Sequence, residues 1–176
     1  MKKLSLLFLL LIFICSCDVA TDKNKSEVGS YFNIKGYFNK EIARLTKKGQ
    51  SIQKTVGVNG SMETKTMNIG DWEKELSAFS NAEINRASWR GLFVTTKKDN
   101  VVIYTSNDEK VPVKEVKLFM NDGIIKGLSI VIRNENILYD STDSLAYFPD
   151  SIYQVKKQQN IRFLSKKNYV IEGRFN

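Results

Sequence analysis

Three aspartates in the stretch Tyr139–Ser151, Asp140, Asp143 and Asp150, are the side chains in this sequence best suited to chemistry. Clustered carboxylates can ligate calcium or act as the acid and base of a hydrolase. No Asp-x-Asp-x-Asp-Gly loop accompanies them, and Pro149-Asp150-Ser151 has the composition of a turn. Solvated turns are therefore the favoured reading. The same stretch carries Tyr139, Tyr147, Phe148 and Tyr153, with Tyr169 and Phe175 beyond it. Such a series could form a binding surface for a sugar or a peptide. Aromatic residues on strands more often fill a core or pack across strands. Trp72 and Trp89 read as core anchors. Lys54-Thr55 lacks the preceding glycines of a nucleotide loop.

Two absences narrow the chemistry further. The chain has no histidine, and its 2 cysteines are Cys15 and Cys17. Beyond Cys17 there is no thiol for a disulfide, no His- or Cys-ligated zinc site, and no Ser-His-Asp or Cys-His machinery. Any catalysis would rest on carboxylates, lysine or tyrosine. The expectation is a protein that is not an enzyme and that uses no metal and no cofactor.

The N-terminus, MKKLSLLFLLLIFICSCD, gives a location. Lys2 and Lys3 precede an apolar run, Leu4 to Ile14, broken only by Ser5. That run is far shorter than the about 20 residues needed to cross a ~30 Å hydrocarbon core. A charged start and short apolar core fit a secretory signal. Ile14, Cys15, Ser16 and Cys17 then occupy the −3 to +1 places, and this segment resembles the lipobox of a bacterial lipoprotein. The resemblance implies cleavage between Ser16 and Cys17, and lipidation of Cys17 with diacylglycerol and an acyl chain such as palmitate. Cys15 is the rival acceptor, but cleavage there would place Ile14 where a small side chain is required. The implied location is the bacterial cell envelope, with the outer membrane preferred over the inner; Asp18 leaves the membrane and its face open. The resemblance covers about a tenth of the chain and carries no activity.

Removing Lys2 and Lys3 from the 27 basic residues leaves 25 against 19 acidic ones, a charge of +6. Such an excess can attract anionic lipid, nucleic acid or acidic glycans. The lysines are scattered as pairs, Lys47-Lys48, Lys97-Lys98, Lys156-Lys157 and Lys166-Lys167, without an arginine-rich or aromatic-basic run. Solvated turns are the simpler reading, and no nucleic-acid partner is expected.

The elements that would position these residues follow from periodicity. Residues 1–16 are the signal peptide; 17–30 are the lipidated cysteine and a polar, aperiodic tether; 31–176 form a single domain. Ile34, Phe38, Ile42 and Leu45 lie on one helical face between a cap at Ser30 and a stop at Gly49. Asn59-Gly60 marks a hairpin. A three-residue loop, setting Val58 against Met62 and Val56 against Thr64, keeps Glu63 off the apolar face. Asp71 caps a second helix carrying Trp72, Leu76 and Phe79, which bends or breaks near Ser80-Asn81.

From Trp89 the period becomes two. Expected strands are Gly91–Lys97, Val101–Ser106, Val113–Met120, Ile124–Arg133, Ile137–Ser141, Leu145–Phe148, Ile152–Gln158, Ile161–Leu164 and Tyr169–Phe175. A three-residue Asn121–Gly123 loop would set Met120 against Ile124 and Val116 against Leu128. The expected fold class is α+β: one or two N-terminal helices packed on a long curved antiparallel β-meander, an open or half barrel. The function expected for it is a membrane-anchored envelope lipoprotein acting as a non-catalytic binding or assembly module. Its partners would be the membrane, held through the lipid, and an envelope protein or glycan. A carrier of an apolar ligand such as an acyl chain is the alternative, followed by a carboxylate-dependent hydrolase.

Overall fold

The computed structural model describes residues 30–176. The segments expected to be the signal peptide, the cleavage site at Ser16 and Cys17, the lipidation site at Cys17 and the tether up to residue 29 lie outside the described residues. Nine strands form one antiparallel sheet in the order β2-β1-β9-β8-β7-β6-β5-β4-β3. They are β1 Ser51–Val58, β2 Ser61–Asn68, β3 Val94–Lys98, β4 Val101–Thr105, β5 Val113–Asn121, β6 Ile124–Glu135, β7 Tyr139–Phe148, β8 Ile152–Ile161 and β9 Lys167–Phe175. Strands β3 to β9 are a continuous meander. The β1–β2 hairpin is added beside β9, the last strand, with Ile52 opposite Phe175 and Val58 opposite Tyr169.

The expected α+β class with packed N-terminal helices is overturned. Strand accounts for 52% of the described residues and helix for 18%. Dimensions explain the imbalance. Helix α1, Ile34–Lys48, has 15 residues and is about 22 Å long. The sheet is nine strands wide, roughly 38 Å at the usual strand spacing, so one helix cannot form a layer over it. The expected second helix is only two fragments, α2 Trp72–Glu75 and α3 Ser77–Ser80, followed by a single 3-10 turn at Ala87–Trp89.

Local corrections have equally local causes. The first helix is capped by Asn33, not Ser30; Asn33 Oδ1 accepts from the Gly36 amide at 2.7 Å. Gly49 ends it with φ 61°. Asn59 and Gly60 both adopt positive φ, 51° and 90°, which makes a two-residue turn. Val58 therefore faces Ser61, and Val56 faces Glu63. Every residue of β2 is exposed, so there was no apolar face from which Glu63 had to be kept. At Asn121–Gly123 the turn is again two residues, Asp122 and Gly123, with φ 49° and 76°. A bulge at Lys126 then shifts the ladder, and Leu118 rather than Val116 faces Leu128. Polar Thr142-Asp143-Ser144, expected to separate two strands, runs through the middle of β7. Arg162–Leu164, expected to be strand, is the β8–β9 turn.

The core lies on one face of the sheet. Ile34, Phe38 and Leu45 of α1, Trp72 of α2, Leu76 at the junction with α3, and Phe79 of α3 pack with Leu128, Ile130, Leu145, Tyr147 and Tyr153. The Phe38 ring meets Phe79 at 5.0 Å and Tyr147 at 5.2 Å. Trp72 stacks on Phe175 at 5.8 Å. Two hydroxyl bonds fix the helical pieces on the strands. Tyr147 Oη donates to Glu41 of α1 at 2.5 Å, and Tyr153 Oη donates to Glu75 of α2 at 2.6 Å. Burial, then the neighbouring carboxylate, pushes both phenols well above the ordinary tyrosine range. Both outer edges are guarded by charge: Glu63 and Lys65 on β2, Lys97 and Lys98 on β3.

Candidate functional site

The long strands outrun their helical cover. The helices sit towards the end of the sheet that carries the β7–β8 turn, where Arg44 and Lys48 of α1 both hold Asp150, at 2.9 and 2.8 Å. Hydrogen bonds from Lys48 and then Arg44 hold the Asp150 carboxyl below its usual range. Towards the opposite end, alternation along β7, β8, β9 and β1 keeps Tyr139, Ser141, Asp143, Val155, Lys157, Gln159, Tyr169, Ile171, Val56 and Val58 on the same face as Tyr147 and Tyr153.

This second region has two halves. The β7–β8 half is polar. Asp143 and Lys157 are directly opposed and paired at 3.2 Å, their side chains 18% and 33% exposed. Burial works against the Lys157 charge, but the hydrogen bond it donates to Asp143 and that carboxylate's charge outweigh burial and raise the ammonium pKa. Asp143 Oδ1 is buried and has no hydrogen-bond partner; what the surface presents of this pair is its partly exposed remainder. Gln159 donates to Tyr139 Oη at 3.1 Å. Buried Ser141 completes no well-aligned hydrogen bond. Its nearness is still the chief influence lowering the Tyr139 phenol, helped by Gln159 and Lys157 against burial.

The β9–β1 half is apolar and open. Val56, Val58 and Ile171 are exposed, with Tyr169 half-buried beside them. Val56 faces Ile171, and Val58 faces Tyr169. A groove of about 400 Å³ opens at the same corner, lined in part by these four residues and by Met62 and Glu63 of β2.

The aromatic series read from the sequence does not form one platform. Tyr147 and Tyr153 are fully buried beneath α1 and α2. Phe148 points to the opposite face, where it stacks on Phe119 at 5.7 Å and covers Gly127. Of that series, Tyr139 and Tyr169 belong to the uncovered region. The three aspartates are also separated. Asp143 is on the helix-bearing face, Asp140 is on the other face 3.8 Å from Arg133, and Asp150 is at the far turn in its Arg44–Lys48 clamp. Among the described residues no group of three His, Cys, Asp or Glu side chains is placed to hold a metal ion. Val56, Val58 and Ile171 were missed because ordinary β-strand composition does not reveal which apolar residues a distant strand leaves uncovered. The chain matches no protein-family model, no curated protein and no solved structure.

Proposed function

We propose that the mature protein is a membrane-anchored envelope lipoprotein, tied through Cys17 preferentially to the outer membrane, and that it works as a non-catalytic binding or assembly module. Its partner meets the uncovered part of the helix-bearing face. The observation that supports this is the juxtaposition there of exposed Val56, Val58 and Ile171 with the partly exposed Asp143–Lys157 ion pair. Apolar contact would supply affinity, and the Asp143–Lys157 pair would select a partner with complementary polar groups. The separation of Asp140, Asp143 and Asp150 weighs against a carboxylate hydrolase. Phe38, Phe79 and Trp72 occupy the space over Tyr147 and Tyr153, which weighs against sheltering an acyl chain there.

The test is photo-crosslinking in cells from a reporter at Val58, compared with one at Val94, exposed on the opposite edge strand. A discrete product from position 58 and not from 94 is expected. Equal products from both, or none from either, would remove the proposal. The anchor is tested separately by mass spectrometry of the mature N-terminus and by fractionation of Cys17→Ser. An unmodified thiol, or unchanged membrane retention of the variant, would refute it.

A further inference from the structure

At one end of the sheet the β6–β7 and β8–β9 turns project side by side. The Arg162 amide donates to the Leu138 carbonyl at 2.9 Å, joining the two turns. Each turn carries an adjacent apolar pair to its tip. Ile137 is 87% exposed, Leu138 60%, Phe163 90% and Leu164 60%. The exposure is fixed by the backbone. Asn136 and Tyr139 exchange amide–carbonyl bonds, Asn136 Oδ1 accepts from the Leu138 amide at 3.0 Å, and the Leu164 amide donates to the Ile161 carbonyl at 2.9 Å. Phe163 holds a left-handed φ of 68°, a conformation unfavourable for a bulky residue.

On the two turns themselves, the charges not engaged in an ion pair are cationic. Arg162, Lys166 and Lys167 belong to the β8–β9 turn or border it, and among the described residues no carboxylate lies within salt-bridge distance of them. The Arg162 guanidinium lies 5.2 Å from the Phe163 ring centre. The nearest acids on these two turns, Glu135 and Asp140, are both engaged by Arg133. The β4–β5 loop at this end adds Asp108, Glu109 and Lys110. Apolar side chains at the extremity with free cations behind them match the layering of an anionic bilayer surface, hydrocarbon below and phosphate above.

We propose that the Ile137-Leu138 and Phe163-Leu164 tips insert together into the interfacial layer of an anionic phospholipid membrane, with Arg162, Lys166 and Lys167 on its headgroups. The domain then stands with its strands steep to the membrane. This contact is separate from any lipid on Cys17 and does not depend on it. The described chain enters the fold beside Tyr104, near the end of β4 that points the same way. The 12 residues between Cys17 and Ser30 reach at most about 40 Å, so anchor and tips can share one bilayer.

The experiment uses the full chain carrying Phe163→Trp, reconstituted into vesicles of phosphatidylethanolamine with or without phosphatidylglycerol. Trp72 and Trp89 are buried and give a constant background. The expected result is a blue-shifted emission at position 163, quenched by brominated lipid and protected from iodide, in phosphatidylglycerol vesicles. Replacing Lys166 and Lys167 with Gln should lower the inserted-to-free ratio about fivefold per lysine. Emission at 163 that remains iodide-accessible on every vesicle would overturn the insertion. So would protection that scales with protein concentration and is indifferent to brominated lipid, which would place a second copy of the chain on the tips. A result at position 163 says nothing of position 58, so this inference and the binding-face proposal fail separately.

Discussion

Gly173→Ala should destabilise the fold although it adds only a methyl group to a strand. Gly173 is buried on β9 directly opposite Tyr153 of β8. A Cβ at 173 would lie 2.1 Å from Tyr153 Cε1, 2.2 Å from Cζ and 2.5 Å from Oη. The phenol is the obstacle, and it cannot swing aside freely. It lies edge-on to Trp72 and Phe175 and is bonded to Glu75. Replacing Gly in a strand normally gains roughly 0.4–1 kcal/mol of chain entropy. Overpacking a filled core costs about 1–3 kcal/mol, and losing a hydrogen bond to a charged group about 1.5–3 kcal/mol. The net loss is about 2–4 kcal/mol, which for a domain of this size lowers the melting temperature on the order of 5–15 °C. Urea titration followed by tryptophan fluorescence reads it as a lower midpoint at unchanged slope. The same substitution in a Tyr153→Leu background should cost less than half as much, because the obstructing ring is gone. A single-variant change below about 0.5 kcal/mol would refute the argument, as would an undiminished cost in the Leu background.

Phe38→Ala should cost about 3–5 kcal/mol, the range for truncating an aromatic residue in a core, since Phe38 is fully buried between Phe79 and Tyr147; a near-zero change in denaturant midpoint would contradict the packing described. Because Asp150 titrates low in the fold, its contribution is present above the ordinary aspartate pKa and fades as the pH falls through the lowered value. Asp150→Asn should therefore flatten part of the acid limb of the melting-temperature profile below about pH 4; an acid limb identical to the parent would contradict this. Burial first, with Glu41 or Glu75 nearby, raises Tyr37, Tyr147 and Tyr153, so their contribution to stability is intact below about pH 10 and declines above it. Absorbance titration of the folded protein should show Tyr139 ionising before an ordinary tyrosine, and these three only with alkaline unfolding. Simultaneous ionisation of all 7 tyrosines would refute that ordering. Melting should not move with EDTA; a large shift would reveal a metal that the described residues do not suggest.

What the sequence made legible was mostly local. Gly49 terminates α1 and Asp71 caps α2, its carboxylate accepting from the Lys74 amide at 2.9 Å. The change to a two-residue period after Trp89 marked the meander, because those strands pair with their neighbours. The pairing of β1 with β9 was invisible, since the partners are more than a hundred residues apart and neither segment names the other. At Asn59-Gly60 the expected loop is one residue too long, because it presumes an apolar face on β2 and β2 is exposed throughout. β7 was divided at Thr142-Asp143-Ser144 because a polar run resembles a loop; its neighbours β6 and β8 supply ladders on both sides and keep it extended. The uncovered region was illegible for the same reason as the β1–β9 contact. Tyr153 and Val155 are two positions apart on one strand face, and only the helical cover puts one fully inside and leaves the other partly exposed.

Joining the first hairpin to the last strand also governs when the molecule can be finished. Ile52 waits for Phe175, more than a hundred residues further along the chain, so this side of the sheet cannot be completed until β9 has been synthesised. Contacts this remote in sequence form late and slowly. A chain emerging amino end first can pair β3 to β8 with their neighbours as they appear, while the β1–β2 hairpin stays without its partner strand until β9 follows.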